Sequence, residues 1–110
     1  MQVSTVPAYE ALAADIKDLG ADCVFGLMSD DTAQLIAMID SMGVKFYGTR
    51  HENNAISMAE GYAAATGRLG IVIIGRGPAT ANGMNGATYT QRSGSPVLMI
   101  FSDAPNAQPA

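Results

Sequence analysis

The sequence predicts an α/β domain, a three-layer doubly wound parallel sheet. Two observations carry this reading. Four strand-like runs alternate with four helix-like runs, joined by short turns, which is the pattern of βαβ units with right-handed crossovers. Two of the strand runs, Gly70-Ile71-Val72-Ile73-Ile74-Gly75 and Pro96-Val97-Leu98-Met99-Ile100-Phe101, are apolar without alternation, as strands are when helices cover both faces of the sheet.

Each element follows from local chemistry. Pro7 to Leu19 reads as a helix because Ala8, Leu12, Ile16 and Leu19 recur every three to four residues, and Gly20 stops it. Asp22 to Gly26 is a short buried strand containing Cys23, read as a small buried core residue. Ser29, Asp30 or Asp31 can cap the next helix, which carries Leu35, Ile36, Met38 and Ile39 and fades at Ser41 to Gly43. Val44 to Tyr47 is the second strand. The stretch after Glu52, from Asn53 to Thr66, is a helix rich in small residues, ended by Gly67. After the strand at Gly70–Gly75, Pro78 or Thr80 opens a fourth helix that runs through about Gln91, and Pro96–Phe101 is the fourth strand. The tail from Asp103 to Ala110 contains Pro105 and Pro109 and reads as the start of a loop.

Composition narrows the function. A length of 110 residues fits one small domain or a piece of a larger protein, and 48% apolar residues suffice for a core. The net charge is −4, and the six basic residues Lys17, Lys45, Arg50, Arg68, Arg76 and Arg92 are scattered. Nucleic acid and anionic membrane surfaces are therefore excluded as expected partners, because both require a basic face. One cysteine excludes an internal disulfide, and one histidine, His51, offers no metal set. No basic-then-apolar N-terminal segment marks a signal peptide, and the apolar runs are far shorter than a bilayer span. The expectation is a soluble, cytoplasmic chain.

Thr49-Arg50-His51-Glu52 stands between the second strand and the small-residue helix. A carboxylate there lies at the C-terminal edge of a parallel sheet, where open α/β sheets bind ligands. By position alone, Glu52 would serve as an acidic complement to the helix dipole, worth a few tenths of a kcal/mol, roughly 0.3. Gly75-Arg76-Gly77-Pro78-Ala79-Thr80 follows a strand and opens a helix, as a phosphate loop would. Thr80 occupies the place of the third glycine, however, and Pro78 removes a backbone donor, so the phosphate signal is weak.

Taken together, Ala21-Asp22-Cys23-Val24-Phe25-Gly26, Arg50-His51-Glu52, Ala59-Glu60-Gly61-Tyr62-Ala63-Ala64-Ala65-Thr66-Gly67, Gly77-Pro78, Asn82, Gly86 and Ser95-Pro96 resemble the N-terminal pyrimidine-binding domain of thiamine-diphosphate enzymes. Acetolactate synthase, pyruvate oxidase, benzoylformate decarboxylase and oxalyl-CoA decarboxylase belong to that superfamily. The resemblance spans about residues 8 to 105 and implies flavodoxin-like layering with strand order 2-1-3-4. Domains of that type are longer by two strands, so residues 1–110 are expected to be a truncated pyrimidine-binding domain.

The resemblance also implies a chemistry. Glu52 would hydrogen-bond the ring nitrogen N1′ of the cofactor and drive the tautomer shift that lets its reactive carbon lose a proton. Such a carboxyl must be desolvated, since water would compete for its bond. Met28, Pro78 and Asn82 would line the pyrimidine. Arg76 could bind an acidic substrate group or seal an interface. His51 could touch substrate as an acid–base group or only shape the turn. Glu60 would lie on the helix surface or in a subunit interface, and the Ala55–Ala65 helix would serve an interface or the core.

The sequence departs from the family pattern in two loops. Ala79 and Ala81 stand where glycine and threonine are usual, Arg76 where a small residue is usual, and Met28 takes the place of a proline against the ring. The diphosphate and Mg2+ of such enzymes are held by a second domain through a Gly-Asp-Gly motif, which this chain lacks. The implied partners are therefore a diphosphate-binding domain of the same or another subunit, within a homodimer or tetramer, and a 2-oxo acid substrate. FAD is open by resemblance, and no residue here supports it. The expected activity is decarboxylation, carboligation or both. The alternatives are a non-catalytic regulatory or binding module of the same fold and a generic nucleotide-binding α/β domain.

Overall fold

Helices and strands alternate through the described residues, 4–104, of a computed structural model of the chain: α1 (Ala8–Asp18), β1 (Cys23–Gly26), α2 (Ala33–Ser41), β2 (Lys45–Gly48), α3 (Glu52–Thr66), β3 (Gly70–Ile74), α4 (Pro78–Asn82), α5 (Met84–Ser93) and β4 (Val97–Phe101). The strands form one parallel sheet in the order β2-β1-β3-β4. This is the order and layering that the sequence predicts. The expected loop over Pro105 to Ala110 lies outside the described residues.

The period of two along β3 sorts the core into two layers. Ile71 and Ile73 pack with Ala13, Ile16, Leu35, Ile36 and Ile39, so α1 and α2 cover one face. Val72 and Ile74 pack with Phe25, Ala55, Ile56 and Ala59, so α3 covers the other. All five residues of β3 are buried. Small side chains let α3 lie close: a Cβ on Gly70 would collide with the carbonyl of Ala59. The small residues of α3 thus pack the core through Ala55, Ala59 and Ala63, while Gly61, Ala64 and Ala65 remain outside.

Five expectations are corrected. β4 is not covered on both faces; it is an edge strand, and Leu98 is 37% exposed. The fourth helix is two helices, because the chain breaks at Gly83, which closes α4 and opens α5. The residue at the start of α2 is Thr32 rather than Ser29, Asp30 or Asp31. Its hydroxyl accepts from the Ser29 amide at 3.1 Å and makes no cap bond to the helix. Cys23 is half-buried, and burial with Asp22 beside it pushes its thiol up from the ordinary value. Glu60 is half-buried rather than free helix surface: its carboxylate accepts from the Ser95 hydroxyl at 2.6 Å, tying α3 to the segment before β4.

No helix among the described residues is long and apolar enough to cross a membrane.

Candidate functional site

Four turns meet at the C-terminal edge of the sheet, after β1, β2, β3 and β4. The turn after β2 is fastened to β1. The Thr49 amide donates to the Gly26 carbonyl at 2.9 Å, and the Thr49 hydroxyl lies 3.0 Å from the His51 carbonyl and 3.3 Å from that of Gly26. His51 is then extended, at φ −153° and ψ 144°, and its Nδ1 accepts from the Asn53 amide at 3.0 Å. His51 is thus the N-cap of α3, one of the positions where first-turn N–H groups need an outside acceptor. Its ring is exposed, and its Nδ1 is occupied by the cap bond.

Glu52 opens α3 and is only 6% exposed. Among the described residues its carboxylate has one hydrogen-bond partner, the Asn82 amide, whose Nδ2 stands 3.3 Å from Oε1. Asn82 is the last residue of α4 and is itself exposed. A buried carboxylate with one long neutral bond keeps acceptor capacity for a further donor. Two of the sequence-predicted residues, Glu52 and Asn82, are therefore in contact. The other predicted site residues sit on loops of the same sheet edge. Met28 is 52% exposed on the loop after β1. Arg76 is exposed on the loop after β3, and no ion pair engages it among the described residues. Pro78 is the exposed first residue of α4.

These loops are tied together by Asp31, which the sequence suggested only as a helix cap. Its carboxylate accepts from the Arg76 amide at 3.0 Å and from the Ser29 hydroxyl. Ser102, at the end of β4, and those two donors hold the Asp31 carboxyl down at about 2. The Thr80 hydroxyl donates to the Gly75 carbonyl at 2.8 Å, and Gly77, at φ 65°, takes the left-handed turn into α4. Among the described residues no group of three or more His, Cys, Asp and Glu side chains gathers as a metal set.

Sequence comparison places this geometry in a family. The profile described as "Thiamine pyrophosphate enzyme, N-terminal TPP binding domain" matches residues 7–109. A Pseudomonas aeruginosa protein named "Probable 2-ketoarginine decarboxylase AruI" is 32% identical over 98 residues, covering 89% of this chain and 18% of that protein. The acetolactate synthase large subunit of Haemophilus influenzae is 29% identical over 92 residues, covering 83% of this chain and 16% of that protein. The structure of a Rhodococcus jostii thiamine diphosphate-dependent 4-hydroxybenzoylformate decarboxylase superposes with a TM-score of 0.80 over 91% of this chain and 19% of that one, at 20% identity. The chain thus spans under a fifth of the length of these proteins.

Proposed function

The chain belongs to the family of N-terminal TPP-binding domains of thiamine pyrophosphate enzymes, and from that premise we propose that Glu52 is the carboxylate through which it activates thiamine diphosphate in a larger enzyme acting on 2-oxo acids. One observation carries the proposal: Glu52 is buried at the ligand-binding edge of the sheet with a single donor on it. A carboxylate spends solvation on being buried, and a protein keeps such a group where a partner will complete its bonding. The ring nitrogen of an aminopyrimidine that carries a proton is a donor of the right kind.

When bound, thiamine diphosphate supplies an electron sink for the carbanion left as a 2-oxo acid loses carbon dioxide. The residues of this chain do the rest of what is proposed here. Glu52 would hold a proton at the ring nitrogen N1′ once the bound ring displaces water from its carboxylate. Asn82 fixes the carboxylate from the other side. Met28 and Pro78 offer apolar contact for the ring, and Asn82 a polar edge. Arg76 stands free to meet an acidic substrate group, and His51, held as a cap, shapes the turn that presents Glu52.

The proposed domain is a part of a pyrimidine-binding domain. A diphosphate-binding domain, on this or another polypeptide, would hold the diphosphate and Mg2+, within a homodimer or tetramer, and the proposed location is the cytoplasm. Decarboxylation of 2-oxo acids is supported by the name of the Pseudomonas relative, and carboligation by that of the Haemophilus one.

The test is Glu52→Gln in the assembled enzyme, which keeps shape and removes the acid. Turnover is expected to fall by about 10²- to 10⁴-fold, the usual range for loss of a positioned acid–base group. Unchanged turnover would make the chain a non-catalytic module of the same fold.

A further inference from the structure

Asn53 stands beside Glu52 in the first turn of α3, yet its side chain is engaged elsewhere. Its Oδ1 accepts from the backbone N–H of Gly86, 33 residues on, at 2.8 Å. Gly86 is the third residue of α5. The first N–H groups of a helix have no acceptor within it, and the residue before α5 is Gly83, which has no side chain with which to cap it. Asn53 therefore caps α5 from a different helix.

The fit is close. A Cβ on Gly86 would stand 3.0 Å from that same Asn53 oxygen and 3.2 Å from Ile56, and a Cβ on Gly83 would stand 3.0 Å from Cδ1 of Ile56. Two glycines thus let the start of α5 rest directly on the first turns of α3. Asn82 immediately precedes this joint and reaches Glu52 from it.

We propose that Asn53 is a positioning residue for Glu52: its grip on the Gly86 amide holds the break between α4 and α5 against α3, and so sets the Asn82 amide on the Glu52 carboxylate. This rests on the reading of Glu52 given above. Asn53 makes no hydrogen bond to the carboxylate and acts through the joint. The Asn82–Glu52 bond, at 3.3 Å, is at the long end of the range. It is the first bond lost when the joint loosens, and Glu52 is then free to turn toward water.

The experiment compares Asn53→Ala, Asn53→Asp and Gly86→Ala in the assembled enzyme. Asn53→Asp keeps the acceptor oxygen. Gly86→Ala keeps Asn53 and pushes the joint apart. The readouts are kcat, KM and, without substrate, the exchange of the reactive-carbon proton of bound thiamine diphosphate for deuterium. Asn53→Ala is expected to slow exchange and lower kcat by about ten-fold, the equivalent of one hydrogen bond to a charged group, with KM unchanged. Asn53→Asp is expected to restore both, and Gly86→Ala to reproduce the slow exchange. Exchange at the parent rate in Asn53→Ala, or an Asn53→Asp variant as slow as Asn53→Ala, overturns the proposal. If Asn53→Ala does not fold, Gly86→Ala decides alone, and exchange at the parent rate overturns it. Glu52→Gln in the same assay separates the two readings. Parent-rate exchange there removes the role of Glu52 itself. Slow exchange there, with Asn53→Ala unaffected, removes only the clamp.

Discussion

Glu52 and Asp31 are two carboxylates at one sheet edge with opposite surroundings. Glu52 is buried with one donor at 3.3 Å, and Asp31 is exposed with several donors on it. The first keeps acceptor capacity for a further donor, which the proposal assigns to the cofactor, and the second holds loops together. Removing Asn82 separates these jobs. Asn82→Ala, an exposed site, is expected to change stability by less than about 0.5 kcal/mol, and to lower kcat by at least about ten-fold, no less than Asn53→Ala, by freeing the Glu52 carboxylate. Thermal unfolding and steady-state kinetics check the two halves. Asp31 yields a pH effect of defined sign. Its carboxyl is held at about 2, below the ordinary 3.8. The brace between the loops after β1 and β3 is therefore fully present above about pH 4 and is lost as pH falls through about 2. Asp31→Asn should flatten acid-side unfolding in that window, as read by circular dichroism; an unchanged acid limb would remove the brace. The turn that carries Glu52 and the segment that carries Asn82 were legible in the sequence because the motif spacing around them is distinctive, though their contact was not. The braces were not, because Asn53 meets its partner 33 residues away and Asp31 meets Arg76 45 residues away. Nothing in local sequence records such meetings.

Strand and helix positions followed from periodicity and from glycine and proline. The exceptions are physical. One helix was expected from Pro78 or Thr80 through about Gln91, but the chain breaks at Gly83, a poor helix former, where Ile56 occupies the space beneath the glycine. The apolar run at Val97–Phe101 signalled cover on both faces, whereas among the described residues β4 is the edge of the sheet and Leu98 is exposed. Ile56 is the hinge pin of the candidate site: it is fully buried, and it backs both glycines of the α4–α5 region. Ile56→Ala is expected to destabilise the fold by about 2 to 5 kcal/mol, the cost of a large-to-small change in a packed core. Urea unfolding measures it, and a loss below about 1 kcal/mol would mean that α3 and α5 do not share this contact.

At the scale of the molecule, four parallel strands in the order 2-1-3-4 gather the turns after β1, β2 and β3 at one edge, and this order was legible through the family resemblance together with the short βαβ connections. What the sheet presents there is, in the proposed reading, half a site. The chain spans under a fifth of its relatives, it has no Gly-Asp-Gly segment, and the proposed diphosphate contacts belong to another domain. The isolated chain is therefore expected to show no saturable binding of thiamine diphosphate by calorimetry at micromolar concentration, and tight binding by it alone would contradict the division of labour. The most direct measurement is an experimental structure of the assembled enzyme with thiamine diphosphate bound. The account predicts a Glu52 carboxylate oxygen within about 3 Å of the pyrimidine nitrogen N1′, with Asn82 on the same carboxylate. A cofactor ring seated away from position 52, with Glu52 turned to solvent or bonded only within its own helix, would contradict it.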